Sequence, residues 1–314
     1  MDDAARDTTA LIPDERRQTH WTVWAAFVGL CVLLSSAWVL PAEAVDMPSP
    51  MEQQSCFYGI VGLVSGMFAY QGLRTRWQQR EWLWLHLAGV SVLLLGLPSV
   101  LGEGVSEGMS DITRAAFFAL VPFVVVVVAM GRDLEPGVRR FFAPALAGFG
   151  GVLLLLPFGF PTSVRGQLTL GVLLMAIVMV GFASEWIYRL IRGFEMMEAL
   201  TIVCLANAVF LAACHFAGLP FAGSWSVAST LISVHSLYSL VELLLLVWLL
   251  REMSPVRLAA RYLVVPLFTV LEGFAFLRPG LTVRMGVGLA LLVGGAGYLL
   301  LSRGWDSDTV LSIR

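Results

Sequence analysis

Hydrophobic residues in this chain fall in long blocks, with short polar stretches between them and no polar face running alongside. A helix needs about 20 predominantly apolar residues to cross the hydrocarbon core of a bilayer. Ten runs approach that length: 22–41, 57–72, 82–102, 114–130, 139–157, 167–189, 198–217, 226–250, 258–277 and 284–302. The second and fourth are short and the eighth is long, differences that tilt or local thinning of the bilayer absorbs. The strict alternation of a lipid-facing barrel strand is not the pattern here. The blocks predict an all-α polytopic membrane protein with ten transmembrane helices.

Composition excludes the competing classes. Of 314 residues, 58% are hydrophobic and 13% charged, with a mean hydropathy of +0.82. That charged share is about half what a soluble domain carries. Disorder would need the opposite composition. A net charge of −2, with no basic stretch able to follow a phosphate backbone, leaves the lipid bilayer as partner and excludes nucleic acid. All 20 basic residues are arginine, which rules out lysine Schiff-base chemistry and P-loop phosphate binding. Cys31, Cys56, Cys204 and Cys214 show no CxxC spacing and read as small buried hydrophobes.

The segment 1–21 is polar, with five acids against three arginines. Ala42-Glu43-Ala44 resembles a cleavage site. The acidic start and a first run of about 20 residues instead favour an uncleaved helix. With a cytoplasmic N-terminus, 16 of the 20 arginines fall on cytoplasmic segments, among them Arg251, Arg257 and Arg261 before the ninth run. Such a bias is the positive-inside pattern. The expectation is a multi-pass protein of the cytoplasmic (inner) membrane with both ends cytoplasmic.

The chain also repeats. Laid on Leu258–Leu300 by a shift of 144 residues, Arg114–Leu156 pairs without gaps, matching Pro122 with Pro266, Arg140 with Arg284, and Gly150-Gly151 with Gly294-Gly295. Ser36-Ala37-Trp38 near the end of the first run also resembles Ser184-Glu185-Trp186 near the end of the sixth. Five spans per half is an odd number, so the halves enter the membrane from opposite sides: an inverted-topology repeat, common in secondary transporters. The expected division is a tail at 1–21, repeats at 22–157 and 158–302, and a tail at 303–314.

Residues 115–156 carry Ala-Ala, Val-Pro-Phe, a short apolar helix, Leu-Glu-Pro and a glycine-rich helix. That succession resembles the end of an EamA-type repeat of the drug/metabolite transporter superfamily, and residues 254–300 are similar to its second repeat. The resemblance implies a central cavity lined by spans one to four and six to nine, with spans five and ten as outer scaffold. It also implies transport of a small organic metabolite or drug-like compound, outward and coupled to protons or exchange. Glu135 holds the acidic position after the penultimate helix of the first repeat, and Pro279 replaces it in the second.

Ionisable groups inside hydrocarbon cost roughly 2.5–3.5 kcal/mol on insertion scales, so they face a cavity or a partner. Glu185, Glu242 and Glu272 are the acids well inside the runs. Tyr238 and His235 precede Glu242 by four and seven residues, on one helical face. That face could pass protons, or Glu242 could be a neutral acid locking two helices together. Glu272 follows Pro266 by six residues, and Pro266 and Pro122 are expected to kink their helices. A carboxylate beyond such a kink could hold a proton or cation, or bond to a neighbouring helix. Glu185 has Arg189 at i+4, which suggests a local ion pair. Trp38 and Trp186 could be interfacial belt residues or cavity walls. Asn207 could orient a polar substrate or join helices. Gly148, Gly150 and Gly151 with Gly286, Gly288, Gly294, Gly295 and Gly297 suggest close packing, within the chain or across a homodimer.

No paired histidines or nucleotide motif stand out, so no metal, cofactor or enzyme activity is expected. A structural or sensory protein on a transporter scaffold, and an intramembrane enzyme, remain the alternatives.

Overall fold

The computed structural model describes residues 12–36, 50–78, 82–104, 111–131, 138–156, 159, 162–217, 234–277 and 282–302. Every regular element among them is helical. In hydrocarbon each backbone polar group must find its partner within the segment, and helices do this. In chain order they are α1 (Ile12–Ser36), α2 (Pro50–Gln78), α3 (Leu83–Ser91), α4 (Leu97–Gly104), α5 (Asp111–Phe118), α6 (Val121–Met130), α7 (Phe142–Leu155), α8 (Val164–Ile191) and α9 (Met196–Phe216). They continue with α10 (Val234–Glu252), α11 (Pro255–Ala259), α12 (Arg261–Leu277) and α13 (Val283–Leu301). A π-turn, Val92–Gly96, joins α3 to α4, and a 3-10 turn, Val138–Phe141, leads into α7.

Eight stretches among the described residues are long and apolar enough to cross a membrane, from Gln53–Arg76 to Val283–Leu301. The apolar part of α1, Trp21–Ser36, and the helix α10 occupy the first and eighth runs. The second run looks short in sequence because its helix continues through polar ends to 29 residues. Side-chain caps mark several starts. Ser163 accepts from Gly166 N at the start of α8, and Thr282 from Met285 N at the start of α13. Glu195 and Glu198 form a reciprocal capping box at α9, satisfying donors that a helix end leaves open.

Two helix pairs form the tightest seams. Along α2 and α9, Gly59 faces Ala208, Gly62 faces Leu205, Gly66 faces Thr201 and Gly72 faces Glu198. The numbers rise on one helix as they fall on the other, so the pair is antiparallel. Hydroxyls cross this seam: Thr201 donates to Ser65 at 3.0 Å and Ser55 to the Ala208 carbonyl at 3.1 Å. At its end Arg76 Nε meets Glu198 Oε2 at 3.1 Å and Arg76 Nη2 donates to the Gly193 carbonyl at 2.8 Å.

Along α7 and α13 the backbones themselves touch. A methyl added at Gly151 would stand 2.6 Å from the Leu292 nitrogen and 2.7 Å from the Gly288 carbonyl oxygen. One added at Gly295 would stand 2.5 Å from the Pro144 carbonyl oxygen and 2.7 Å from the Gly148 nitrogen. This pair is antiparallel too. Gly148, Gly151, Gly288 and Gly295 thus pack within the chain, whereas Gly150, Gly286, Gly294 and Gly297 face open space.

Two spans are interrupted. The fourth breaks between α5 and α6, with Pro122 in the first turn after the break, where its missing N–H costs nothing. The ninth breaks at Ala260, between α11 and α12, and Pro266 lies inside α12. The breaks meet: Phe118 stacks on Tyr262 with ring centroids 6.2 Å apart and planes 17° apart.

Candidate functional site

Among the described residues, Glu185 lies on α8, whereas Glu242 and Glu272 lie on α10 and α12, the two helices that pack against α1. Their chemistry comes in two layers, one helical turn apart. In the first, the Ser35 hydroxyl of α1 donates to Glu272 Oε1 of α12 at 2.7 Å. Ser36 and the Tyr238 hydroxyl of α10 lie 3.0 Å apart, and Tyr238 also donates to the Leu33 carbonyl. Successive serines at the same end of α1 therefore hold one group from each neighbouring helix.

Cys31, four residues before Ser35 on α1, and Glu242, four residues after Tyr238 on α10, each lie roughly 6 Å of helix rise away. Glu242 is partly buried, and the guanidinium of Arg261 bears on it electrostatically across space, as it does on Cys31. Glu242 in turn bears on the hydroxyl of Tyr58 from α2. Arg261, eleven residues before Glu272 on α12 and so about 16 Å of helix rise away, acts on Glu242 and Cys31 through space and not by contact.

Arg261 opens α12 directly after the break in the ninth span. It is 7% exposed. Its Nη2 donates to the Tyr262 hydroxyl at 3.1 Å, and its guanidinium carbon lies 4.9 Å from the centroid of that ring. Its Nη1 is buried without a hydrogen-bond partner among the described residues. A cavity of about 10 Å³ abuts it, lined among others by Ser184, Tyr188, Leu250, Met253 and Tyr262. That volume accommodates about one water-sized group.

The other residues singled out in the sequence are placed as follows. His235 lies in the first turn of α10, where the side chains are outside the described residues, as is the whole of Trp38. Trp186 is 46% exposed on α8, beside Glu185 at 2%. Arg189 Nη2 reaches Glu185 Oε1 at 3.5 Å across one turn. Asn207 is fully buried, donating from Nδ2 to the Val203 carbonyl at 2.7 Å and to Ser91 at 3.3 Å. Ser91 is the last residue before the π-turn, and Gly96 within that turn leaves room for the Asn207 amide oxygen. Asn207 therefore joins α9 to the third span, away from the carboxylates. No group of three His, Cys, Asp or Glu that could hold a metal occurs among the described residues. All four cysteines are free thiols.

Sequence reasoning passed over Arg261, Tyr58, Ser35 and Ser36. Arg261 lies three residues inside the run 258–277 yet was counted with the loop before it; an arginine inside an apolar run was the available signal. The paired serines in the otherwise apolar end of the first run were another.

No family model matches the chain, and no curated protein does. Its fold does recur among solved structures. One, described only as the crystal structure of a protein, superposes with a TM-score of 0.62 at 18% identity, covering 89% of this chain and 98% of the other. At that identity the likeness concerns architecture alone, over nearly the whole length of both.

Proposed function

We propose that this chain is a secondary transporter built from two inverted five-helix repeats, carrying a small organic compound across the cytoplasmic membrane by alternating access. The observation that carries this reading is the polar seam, where Ser35 and Ser36 of the first half hold Glu272 and Tyr238 of the second, with Glu242 one turn further along α10 and Arg261 acting on it through space. A membrane protein keeps ionisable groups at depth where they serve a path or a partner. Three such groups on one seam, beside a small cavity, suit a path.

Support for the inverted repeat comes from the shift of 144 residues. It turns the contact of Gly151 with Gly288 into that of Gly295 with Pro144, and Phe118 into its own stacking partner Tyr262. Residues that touch their own repeat equivalents lie on the axis relating the halves. Antiparallel packing of the repeat-equivalent helices α7 and α13 supports halves that point in opposite directions.

Arginine distribution puts both ends in the cytoplasm. The Ser35–Glu272 layer then faces outward and Arg261 inward. The resemblance to EamA-type repeats supports an organic cargo and outward movement. The absence of a nucleotide-binding motif leaves a proton gradient or exchange as the energy source. Glu242 is the coupling group, because it alone joins the α10 face to the Arg261 charge.

The test is solute flux in sealed proteoliposomes under an imposed proton gradient. Glu242→Gln should abolish gradient-driven flux while the variant stays monodisperse. Undiminished flux would remove Glu242 from the mechanism.

A further inference from the structure

We propose that the cavity beside Arg261 is a binding site for a single halide ion, chloride under physiological conditions, held where four spans meet. The site does not depend on the transport reading and would stand in a protein that moves no solute.

A guanidinium carries five N–H donors and does not shed its proton in a protein. Arg261 lies six residues into the span Pro255–Ala275 and is 7% exposed. Its Nη2 donates to the Tyr262 hydroxyl at 3.1 Å, while buried Nη1 has no acceptor among the described residues. Tyr262 takes that bond on its oxygen, so its own O–H is a second donor, and it too has no acceptor among the described residues. Both side chains stand on the wall of one cavity. A buried donor left unpaired is costly, and more so when it belongs to a cation in the hydrocarbon.

The lining decides what accepts these bonds. It brings together Leu94 of the third span, Ser184 of the sixth, Leu250 of the eighth, and Arg261 and Tyr262 of the ninth. It holds one cation and no carboxylate or amide. Phe118 stacks on the Tyr262 ring, so the hydroxyl is what this tyrosine offers. The space, about 10 Å³, takes one group of about water size, which excludes carboxylates, sulfate and phosphate and leaves a monatomic anion. A water would accept both bonds as well, yet it does nothing for the charge and brings two hydrogens that need acceptors of their own. A halide accepts from both donors, carries no hydrogen and opposes the guanidinium charge at contact distance. Glu242 acts on Arg261 only through space and repels the same ion, which keeps the affinity modest.

The experiment takes the purified full chain in detergent, exchanged into sodium gluconate. Thermal stability and calorimetry are followed as chloride, bromide or sulfate replaces gluconate at constant ionic strength. Chloride and bromide should stabilise the chain saturably, with dissociation constants on the order of millimolar. Sulfate should behave as gluconate does, since neither fits. Arg261→Gln should abolish the halide response, and Tyr262→Phe should weaken it about fivefold. Glu242→Gln should tighten it about threefold or more by removing the opposing charge, a change that a merely structural arginine would not produce. Crystals grown in bromide should show an anomalous peak beside Arg261 Nη1, which locates the ion even where Arg261→Gln is poorly folded. Equal stability in chloride and gluconate would leave the cavity to a fixed water and overturn the proposal. A response shared by sulfate, a halide response that survives Arg261→Gln, or a bromide peak elsewhere would overturn it as well. Halide binding without solute flux in proteoliposomes would leave the site standing and count against transport alone.

Discussion

The α7–α13 seam and the α1–α10–α12 seam join helices by opposite means. The first has glycines opposite backbone, an arginine at its end where Arg284 Nη2 donates to the Leu153 carbonyl at 3.5 Å, and contacts so close that a single added methyl would stand 2.5 Å from a carbonyl oxygen. The second joins three helices through serine and tyrosine hydroxyls and the Glu272 carboxylate, with Glu242 and Arg261 interacting through space. Lipid tails are as apolar as leucine, so helices in a bilayer associate through close packing and interhelical hydrogen bonds. The glycine seam uses the first and is fit to stay shut. The polar seam relies on groups that can exchange their partners for water or a solute, which is what a moving path needs.

Substitution should separate the two seams. The largest effect belongs to Gly295→Leu, whose side chain has only the backbone of α7 to displace. It should cost about 3 kcal/mol or more, read as loss of monodisperse protein. Gly294→Ala, with open space around it, should stay within about 0.5 kcal/mol of the parent. If the two variants behaved alike, the seam would not be the rigid element.

Next comes Glu198→Ala, which removes both the Arg76 partner and half of the α9 capping box. A loss of about 2 kcal/mol in thermal stability is expected, with no change in solute selectivity. Glu242→Gln should do the reverse: at least a tenfold loss of gradient-driven flux, about 1.4 kcal/mol in barrier terms, at a nearly unchanged melting temperature. Smallest is Ser35→Ala, which deletes the hydroxyl held by Glu272. Interhelical hydrogen bonds in membranes average about 0.6 kcal/mol, so stability should barely move.

Much of this architecture was legible in the sequence, because the bilayer demands long apolar runs and each run marks one span, whole or interrupted. The glycine pairs of spans five and ten announced their seam, since a glycine in an apolar helix gives up side-chain packing for close approach. The polar seam was legible only in part. Glu242 and Tyr238 share a face by spacing alone, and their helix carries both to the site. Arg261 was hidden by the positive-inside pattern, which assigns an arginine near a run's edge to the loop. Its burial depends on the residues packed around it from other spans, Leu94, Ser184 and Tyr188 among them. Ser35 and Ser36 were hidden because a serine in a membrane helix usually bonds its own backbone, as both also do here. Their cross-helix partners follow from α1 lying between α10 and α12, which no local pattern encodes. Asn207 was visible as a mid-span polar residue, but its role depends on the π-turn after Ser91, a tertiary feature.

The central claim is that the polar seam is wetted alternately from the two faces of the membrane. Its most direct measurement is chemical access to Ser36→Cys, in a chain whose four native cysteines are replaced by alanine. Sealed vesicles of both orientations would be treated with a membrane-impermeant thiol reagent. Alternating access predicts modification from either face. Modification from one face only, or from neither, would contradict it.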